Sequence, residues 1–181
     1  MLLRKKEEIK AWLKKNNIEN YELIPNEEYG YIVNVNRDVS LFNCKLKNIE
    51  VKFNKIKGNF SCFRNQLESL EGCPEIISGF FDCSENKLKT LEGCPEIVKG
   101  DFYCRNNNLT MEGLKYLPKE VNSDYMNISD NEKLGSLQNI TNFQNMKNKV
   151  EEMLNIKKEK EKLLNNINKK ELNKNKIIHK I

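Results

Sequence analysis

A 21-residue internal repeat constrains this chain more than any other feature of its sequence. Residues 58–76 read Gly-Asn-Phe-Ser-Cys-Phe-Arg-Asn-Gln-Leu-Glu-Ser-Leu-Glu-Gly-Cys-Pro-Glu-Ile, and residues 79–97 read Gly-Phe-Phe-Asp-Cys-Ser-Glu-Asn-Lys-Leu-Lys-Thr-Leu-Glu-Gly-Cys-Pro-Glu-Ile. A third copy begins at Gly100 and shortens by one residue before Met111. Repeats of this length stack as turns of a solenoid, because one repeat alone cannot bury its apolar face.

The repeat continues in a weaker form on both sides. Upstream, the apolar pattern recurs 21 residues earlier without the Gly and Pro, at Val39, Leu41, Cys44, Leu46 and Ile49. Downstream, it recurs with altered spacing at Val121, Met126, Ile128, Asn131 and Leu134. The sequence therefore predicts four to five rungs, each with one short parallel strand.

The pattern within a rung indicates which side chains form the core. Phe81 and Cys83 alternate as the inward residues of a strand do, and the leucines that follow them continue the apolar side around a bend. Equivalent residues of stacked rungs form ladders, so we expect Asn65, Asn86 and Asn107 to align and to satisfy backbone groups left unpaired by the turn. We expect the Gly-Cys-Pro segments to turn the chain on the convex side.

The two ends of the chain are predicted to cap the solenoid. Ile9, Trp12 and Leu13 have helical spacing, and residues 21–24 and 29–35 read as two strands around a turn. At the other end an apolar stripe runs from Phe143 to Leu154 before lysines interrupt it. The predicted fold class is an α+β solenoid with an N-terminal helix and hairpin cap (1–36), a repeat region (37–138) and a C-terminal basic helix or tail (139–181).

The spacing of Phe81, Cys83, Asn86 and Leu88 resembles that of the short leucine-rich-repeat proteins of bacteria and phages. The resemblance covers roughly residues 37–134. Cys in place of the usual Leu or Val, and the Glu-Gly-Cys-Pro segment, depart from that family's pattern. The resemblance implies partner binding through a concave strand face. Because a chain with a few rungs and no effector domain acts mainly by occupying a partner's surface, we expect an inhibitor or adaptor, and the resemblance to phage-encoded repeat proteins implies an anti-defence role, such as an anti-CRISPR that blocks a nuclease.

Charge and composition favour a cytoplasmic protein that binds no membrane. The net charge is +5, but eleven Lys and five Glu lie between Lys147 and Ile181, so the basic feature is a tail. No stretch approaches the roughly 18 apolar residues that a membrane span needs. The start of the chain has no apolar signal segment, so the six cysteines are expected to be reduced.

The sequence offers no catalytic constellation, and we expect a protein that is not an enzyme and that needs no cofactor or metal. The cysteines recur at the solenoid period rather than in the close pairs that zinc sites use. The single histidine, His179, lies in the lysine-rich tail, where it cannot orient a buried nucleophile.

The outward strand positions are the candidate site for a protein partner. Core alternation leaves Phe42, Phe63, Phe80 and Tyr103 on the solvent side, and aromatic residues and arginine are frequent anchors of interfaces. The alternative is that these aromatics only stack along their own ladder. The full set of predicted partner-binding residues is Phe42, Phe63, Arg64, Phe80, Asp82, Glu85, Tyr103, Arg105 and Asn106.

Two other functions remain open at this point. One is a nucleic-acid-binding protein, in which the Lys-rich C-terminal helix contacts nucleic acid or a ribonucleoprotein while the solenoid positions it. The other is a structural role in which the tail helix pairs into a dimer.

Overall fold

A computed structural model describes residues 2–178, with side chains to Lys169. The chain begins with a helix and a hairpin: α1 (Lys6–Lys15), β1 (Tyr21–Asn26) and β2 (Gly30–Val35). Short strands follow: β3 (Val39–Ser40), β4 (Phe53–Ile56), β5 (Phe60–Ser61), β6 (Ile76–Ile77), β7 (Phe81–Asp82), β8 (Ile97–Val98), β9 (Phe102–Tyr103), β10 (Glu120–Val121) and β11 (Met126–Asn127). Two 3-10 helices, Glu112–Tyr116 and Glu132–Asn139, lie near the end of the repeats, and α2 (Phe143–Ile178) follows them.

The repeats form a solenoid of about five turns in which two parallel sheets face each other across the core. The first sheet has the order β1-β2-β4-β6-β8-β10, and the second has the order β3-β5-β7-β9-β11. All the pairs are parallel except the β1–β2 hairpin. The predicted fold class, a solenoid of four to five parallel-strand rungs between an N-terminal and a C-terminal helix, is confirmed.

The first sheet was not foreseen from the sequence. The sequence predicts only a turn at each Gly-Cys-Pro on the convex side, but the residues that follow, Ile76–Ile77 and Ile97–Val98, pair with each other as parallel strands 21 positions apart. The predicted turn itself lies just before them, where Gly72 and Gly93 have φ of 92° and 83°. Each repeat therefore contributes a strand to both sheets.

Stacked aromatic rings fill the core along the solenoid. Phe60, Phe81 and Phe102 are fully buried, and their ring centroids are 6.0 Å and 5.4 Å apart from one rung to the next. Phe53 of the first sheet lies edge-on to Phe60 at 5.4 Å. Burying one such side chain contributes about 1.5–3 kcal/mol, so this column is a large part of the stability of each turn.

The predicted asparagine ladder is present and ties each turn to the turn before it. Asn86 donates through Nδ2 to the carbonyls of Cys62 (3.0 Å) and Cys83 (3.1 Å), and its Oδ1 accepts the N–H of Leu67 at 3.0 Å. The same set of bonds recurs at Asn65, Asn107 and Asn131. Each amide thus gives one buried N–H of the preceding rung its partner, and the carbonyls of Cys62, Cys83 and Cys104 each accept from two successive amides.

The N-terminal helix closes the first turn as predicted. α1 has Glu7 and Glu8 in its first turn and lysines in its last, which suits the helix dipole. Its apolar side, Ile9, Trp12 and Leu13, is buried, and Trp12 lies 6.3 Å from Phe53 so that it extends the aromatic column.

The last turn uses a longer repeat and is closed by α2. Met126 pairs with Phe102, a separation of 24 residues, because the 3-10 helix Glu112–Tyr116 replaces the Gly-Cys-Pro turn. Phe143, Met146 and Val150 of α2 are buried, whereas residues 155–169 are all exposed. The predicted docked helix and projecting basic segment are therefore one continuous helix. Among the described residues, no helix combines the length and the apolar character needed to cross a membrane.

Replacing Asn86 with Leu should destabilise the fold even though it adds apolar volume. The change leaves the Leu67 N–H without a partner in the interior and removes one of the two amide bonds to each of the Cys62 and Cys83 carbonyls, which costs about 1–3 kcal/mol. Chemical denaturation of this variant and of Lys87→Ala, whose side chain is exposed, gives the comparison. Equal free energies of unfolding would contradict the role given to the ladder.

Truncations should separate the two halves of α2. Deleting residues 163–181 removes only exposed or undescribed side chains and should leave the melting temperature nearly unchanged. Deleting residues 143–181 uncovers the apolar end of the last turn and should cause aggregation, because uncapped repeats present strand edges and apolar surface. Size-exclusion chromatography and thermal melting measure both effects, and identical behaviour of the two truncations would show that α2 is not a cap.

Candidate functional site

In the turn that follows each strand of the second sheet, one residue with an outward side chain has a left-handed backbone conformation. Arg64, Glu85 and Asn106 occupy this position in successive rungs, with φ of 58°, 52° and 50°. Non-glycine residues rarely adopt this conformation, and the neighbouring ladder amide holds it in place. The side chains at this position are therefore fixed in one column at the rim of the sheet.

Phe42, Phe63 and Arg105 lie in the next column, which we call the arginine column. Phe42 stacks on Phe63 with centroids 5.4 Å apart and planes 13° apart. The Arg105 guanidinium lies 5.9 Å from the Phe63 ring centroid, and its Nη2 is 3.1 Å from Oε1 of Glu85. Arg64 approaches the same carboxylate at 4.0 Å. Two arginines thus share one carboxylate beside a pair of stacked rings.

Phe80, Tyr103 and Tyr125 form a second group, which we call the tyrosine cluster. Tyr103 packs edge-on against Phe80 at 6.1 Å and against Tyr125 at 5.9 Å. Its hydroxyl donates to Oδ2 of Asp101 at 2.6 Å, and this hydrogen bond, together with burial, raises the pKa of Tyr103 to about 12. The ring is therefore held as a neutral phenol and oriented at ordinary pH.

The structure brings most of the predicted site residues together on one face. Phe42 is 49% exposed, and Phe63, Phe80 and Tyr103 are partly buried by the stacking that was the alternative explanation. Asp82 is engaged locally, since its Oδ1 accepts the N–H of Ser84 at 2.9 Å. Arg64, Glu85, Arg105 and Asn106 lie on the same face, with Asn106 exposed.

Tyr125 was missed from the sequence although it is 41% exposed on this face. A constant period of 21 residues places no aromatic residue beyond Asp101 in that column. The 24-residue separation between Phe102 and Met126 brings Tyr125 beside Asp101 instead. The altered spacing of the last repeat could have identified Tyr125, if the rung is aligned on Asn131 and the positions before it are numbered backward from there.

Ser84 is an unusual member of the arginine column. The parallel register places it between Phe63 and Arg105, it is 1% exposed, and its hydroxyl has no hydrogen-bond partner among the described residues. A buried hydroxyl without a partner is unfavourable. The contact that Arg105 makes with Phe63 and Glu85 is therefore made over a buried polar group.

The cysteines that line the core are not placed to react. Cys62, Cys83 and Cys104 are buried, and burial raises the pKa of the Cys83 and Cys104 thiols well above the usual range. A protonated thiol is a poor nucleophile and a poor metal ligand. Among the residues the structure describes, no group of three or more His, Cys, Asp or Glu side chains is placed to hold a metal ion. His179 lies outside the described residues.

Comparison with protein-family models, with curated proteins and with solved structures finds no match for this chain. Its function must therefore be argued from the geometry of its own surface.

Replacing Ser84 with Ala should stabilise the protein. The change removes a buried hydroxyl that has no partner and keeps the backbone N–H bonded to Asp82, so the free energy of unfolding should rise by about 1 kcal/mol. Chemical denaturation measures the change, with Ser78→Ala, at an exposed position, as the control. A loss of stability in Ser84→Ala would show that the hydroxyl has a partner.

Proposed function

We propose that this protein is a non-catalytic binding module that recognises another protein through the outward face of its second sheet. The observation that carries the proposal is the arginine column beside the tyrosine cluster, both mounted on one sheet. Aromatic residues and arginine supply much of the binding energy at protein interfaces, above all where they are central and well packed.

The rigidity of this face supports the proposal. Phe63 is held between Phe42 and Arg105, and Tyr103 is held by Asp101 and two rings. Side chains that are already ordered lose little conformational entropy when a partner binds, so more of the contact energy appears as affinity.

The charge on the face favours a protein over a nucleic acid. In the first four rungs its outward positions carry four acidic and four basic side chains, namely Asp38, Asp82, Glu85, Asp101, Lys45, Arg64, Lys87 and Arg105, and the fifth rung adds Asp130. Both arginines approach Glu85, which competes with any phosphate for their guanidinium groups. A surface without excess positive charge lacks the main source of affinity for nucleic acids.

The size of the face limits how it acts. The hydrogen bonds between rungs continue beyond the two-residue strands, so each rung offers about six residues to the face. Five rungs about 4.8 Å apart then cover roughly 400 Å². A stable interface takes about 800 Å² from each partner. A tight complex therefore needs contacts beyond this face, from the rim of the solenoid or from α2.

An inhibitor or adaptor that covers a partner's surface fits a module of this size. The anti-defence role that the family resemblance implies, such as the blocking of a nuclease, is one form of that function. The exposed lysines of α2, including Lys158, Lys160 and Lys162, are the basis of the competing proposal, in which the tail binds nucleic acid.

Alanine variants of the face should weaken partner binding while the tail variants do not. Affinity purification from the native host, with and without nuclease, supplies the partner for binding measurements. Phe63→Ala, Tyr103→Ala and Arg105→Ala should each reduce the free energy of binding by about 2 kcal/mol where they act as anchors. The free energy of unfolding, followed by thermal melting, should fall by less than the free energy of binding. An ion pair at the surface such as Arg105–Glu85 contributes about 1 kcal/mol or less to stability.

Two controls distinguish protein binding through the face from nucleic-acid binding through the tail. Tyr29→Ala trims a partly exposed tyrosine in the hairpin turn and should leave binding unchanged. Substituting Lys158, Lys160 and Lys162 together should have a smaller effect that fades as salt rises. If the lysine variant abolishes binding, the face variants do not, and nuclease removes every partner, the protein is a nucleic-acid binder.

A further inference from the structure

The second sheet ends at β3, and no strand of the described chain lies beyond it. Hydrogen bonds from Val39, Leu41 and Asn43 to the carbonyls of Asn59, Ser61 and Phe63 extend this edge well past the two residues of the strand itself. The edge is therefore about six residues long, enough for a short extended peptide.

Strand geometry shows which groups this edge offers. Val39 and Leu41 direct their N–H groups toward the second rung at 2.8 Å and 2.7 Å. Successive backbone groups of a strand point to opposite sides, so Ser40 and Phe42 direct theirs away from the sheet. Ser40 and Phe42 are exposed, and the Phe42 carbonyl receives only a long contact of 3.6 Å from the Cys44 thiol.

Two other edges of the sheets are protected. At the far end of the second sheet, Met126 donates to Thr141 at 2.8 Å and Tyr125 bridges Asn142, so β11 is covered by the chain itself. At the near end of the first sheet, β1 contains Pro25, which has no N–H to offer. The open edge of β3 contrasts with both.

The first rung is built to accept a strand but not a further complete turn. In later rungs an asparagine reaches back to the preceding turn, whereas Cys44 occupies this position in the first rung and is exposed. A thiol cannot replace the amide as a strong donor and acceptor. A segment that binds here is therefore held along its strand alone, which selects an extended peptide over another solenoid turn.

The charge at this edge indicates the chemistry of the segment. Arg37 and Lys45 lie on either side of β3 and are exposed. Asp38 lies between them, but its Oδ1 accepts the N–H of Asn59 at 2.7 Å. Carboxylates in a bound segment would complement Arg37 and Lys45, whereas a second copy of this chain would bring the same basic pair to the edge.

We propose that β3 is a strand-addition site for an extended peptide segment that carries acidic side chains. The added strand pairs with the outward N–H and C=O groups of Ser40 and Phe42, in the manner of other sheet edges that recruit peptides. It also extends the second sheet next to Phe42, whose ring is stacked on one side only by Phe63. This site shares Phe42 with the arginine column but uses the backbone groups of the sheet edge, so its test does not depend on Arg105 or on the tyrosine cluster.

The probe for this site is a fluorescein-labelled peptide, Glu-Val-Thr-Val-Thr-Val-Glu, with blocked ends. Ser40→Pro removes the outward N–H and keeps the bonds that Val39 and Leu41 make to the second rung. Relative to Ser40→Ala, which trims the same side chain but keeps the N–H, it should weaken the peptide about tenfold in fluorescence anisotropy, as expected for one or two backbone hydrogen bonds. The same peptide with Lys at both ends should bind more weakly than the acidic one.

Hydrogen exchange of the unmodified protein provides a readout that does not depend on how Ser40→Pro folds. The amides of Ser40 and Phe42 should exchange quickly in the free protein and slowly with the acidic peptide. Equal affinity of Ser40→Pro and Ser40→Ala, no saturable binding of the acidic peptide, or slow exchange in the free protein would each overturn the proposal. A dimer that Ser40→Pro dissolves would assign the edge to a second copy instead. Tyr103→Ala, three rungs away from β3, should leave peptide binding unchanged, which separates this site from the proposed function.

Discussion

The amide ladder of Asn65, Asn86, Asn107 and Asn131 is the interaction on which the rest of the structure depends. A short strand followed by a sharp bend leaves buried N–H and C=O groups that no neighbouring strand can reach, and a buried polar group without a partner costs more than a typical hydrogen bond returns. Because each amide bonds its own rung and the rung before it, the bend can be tight and the left-handed residue beside it can be tolerated. That residue sets the column of Arg64, Glu85 and Asn106, so the binding face follows from the ladder.

The two ends of the solenoid meet the problem of exposed edges in different ways. The C-terminal end uses the chain itself, with Thr141 and Asn142 along β11 and the apolar side of α2 over the core. The N-terminal end covers the core with α1 and the first sheet with a hairpin, which leaves β3 open. A face of roughly 400 Å² is about half of what a stable interface takes from one partner, and the open edge beside it offers backbone hydrogen-bonding groups that the face lacks.

The sequence predicts the local structure correctly wherever a single side chain determines it. The inward Phe and Cys, the asparagine ladder, α1 and the β1–β2 hairpin could be predicted because periodicity and turn residues determine them without reference to distant contacts. The first sheet could not be separated from a turn, because two apolar residues such as Ile76 and Ile77 are too few to show alternation. Tyr125 was missed because its place depends on the register of the last repeat. The burial of Ser84 could not be predicted because it depends on how Arg105 lies across its neighbours.

The ladder also has a direction, since every asparagine reaches toward the N-terminal neighbour of its own turn. A chain that leaves the ribosome from its N-terminus therefore cannot finish any turn until the next one has emerged. At each moment of synthesis the most recent turn has its own amide but lacks the amide of the next turn, which bonds its strand carbonyl and the N–H after its bend. The incompletely bonded part of the nascent chain therefore stays small, because every earlier turn already has the hydrogen bonds from the amide of the turn that follows it.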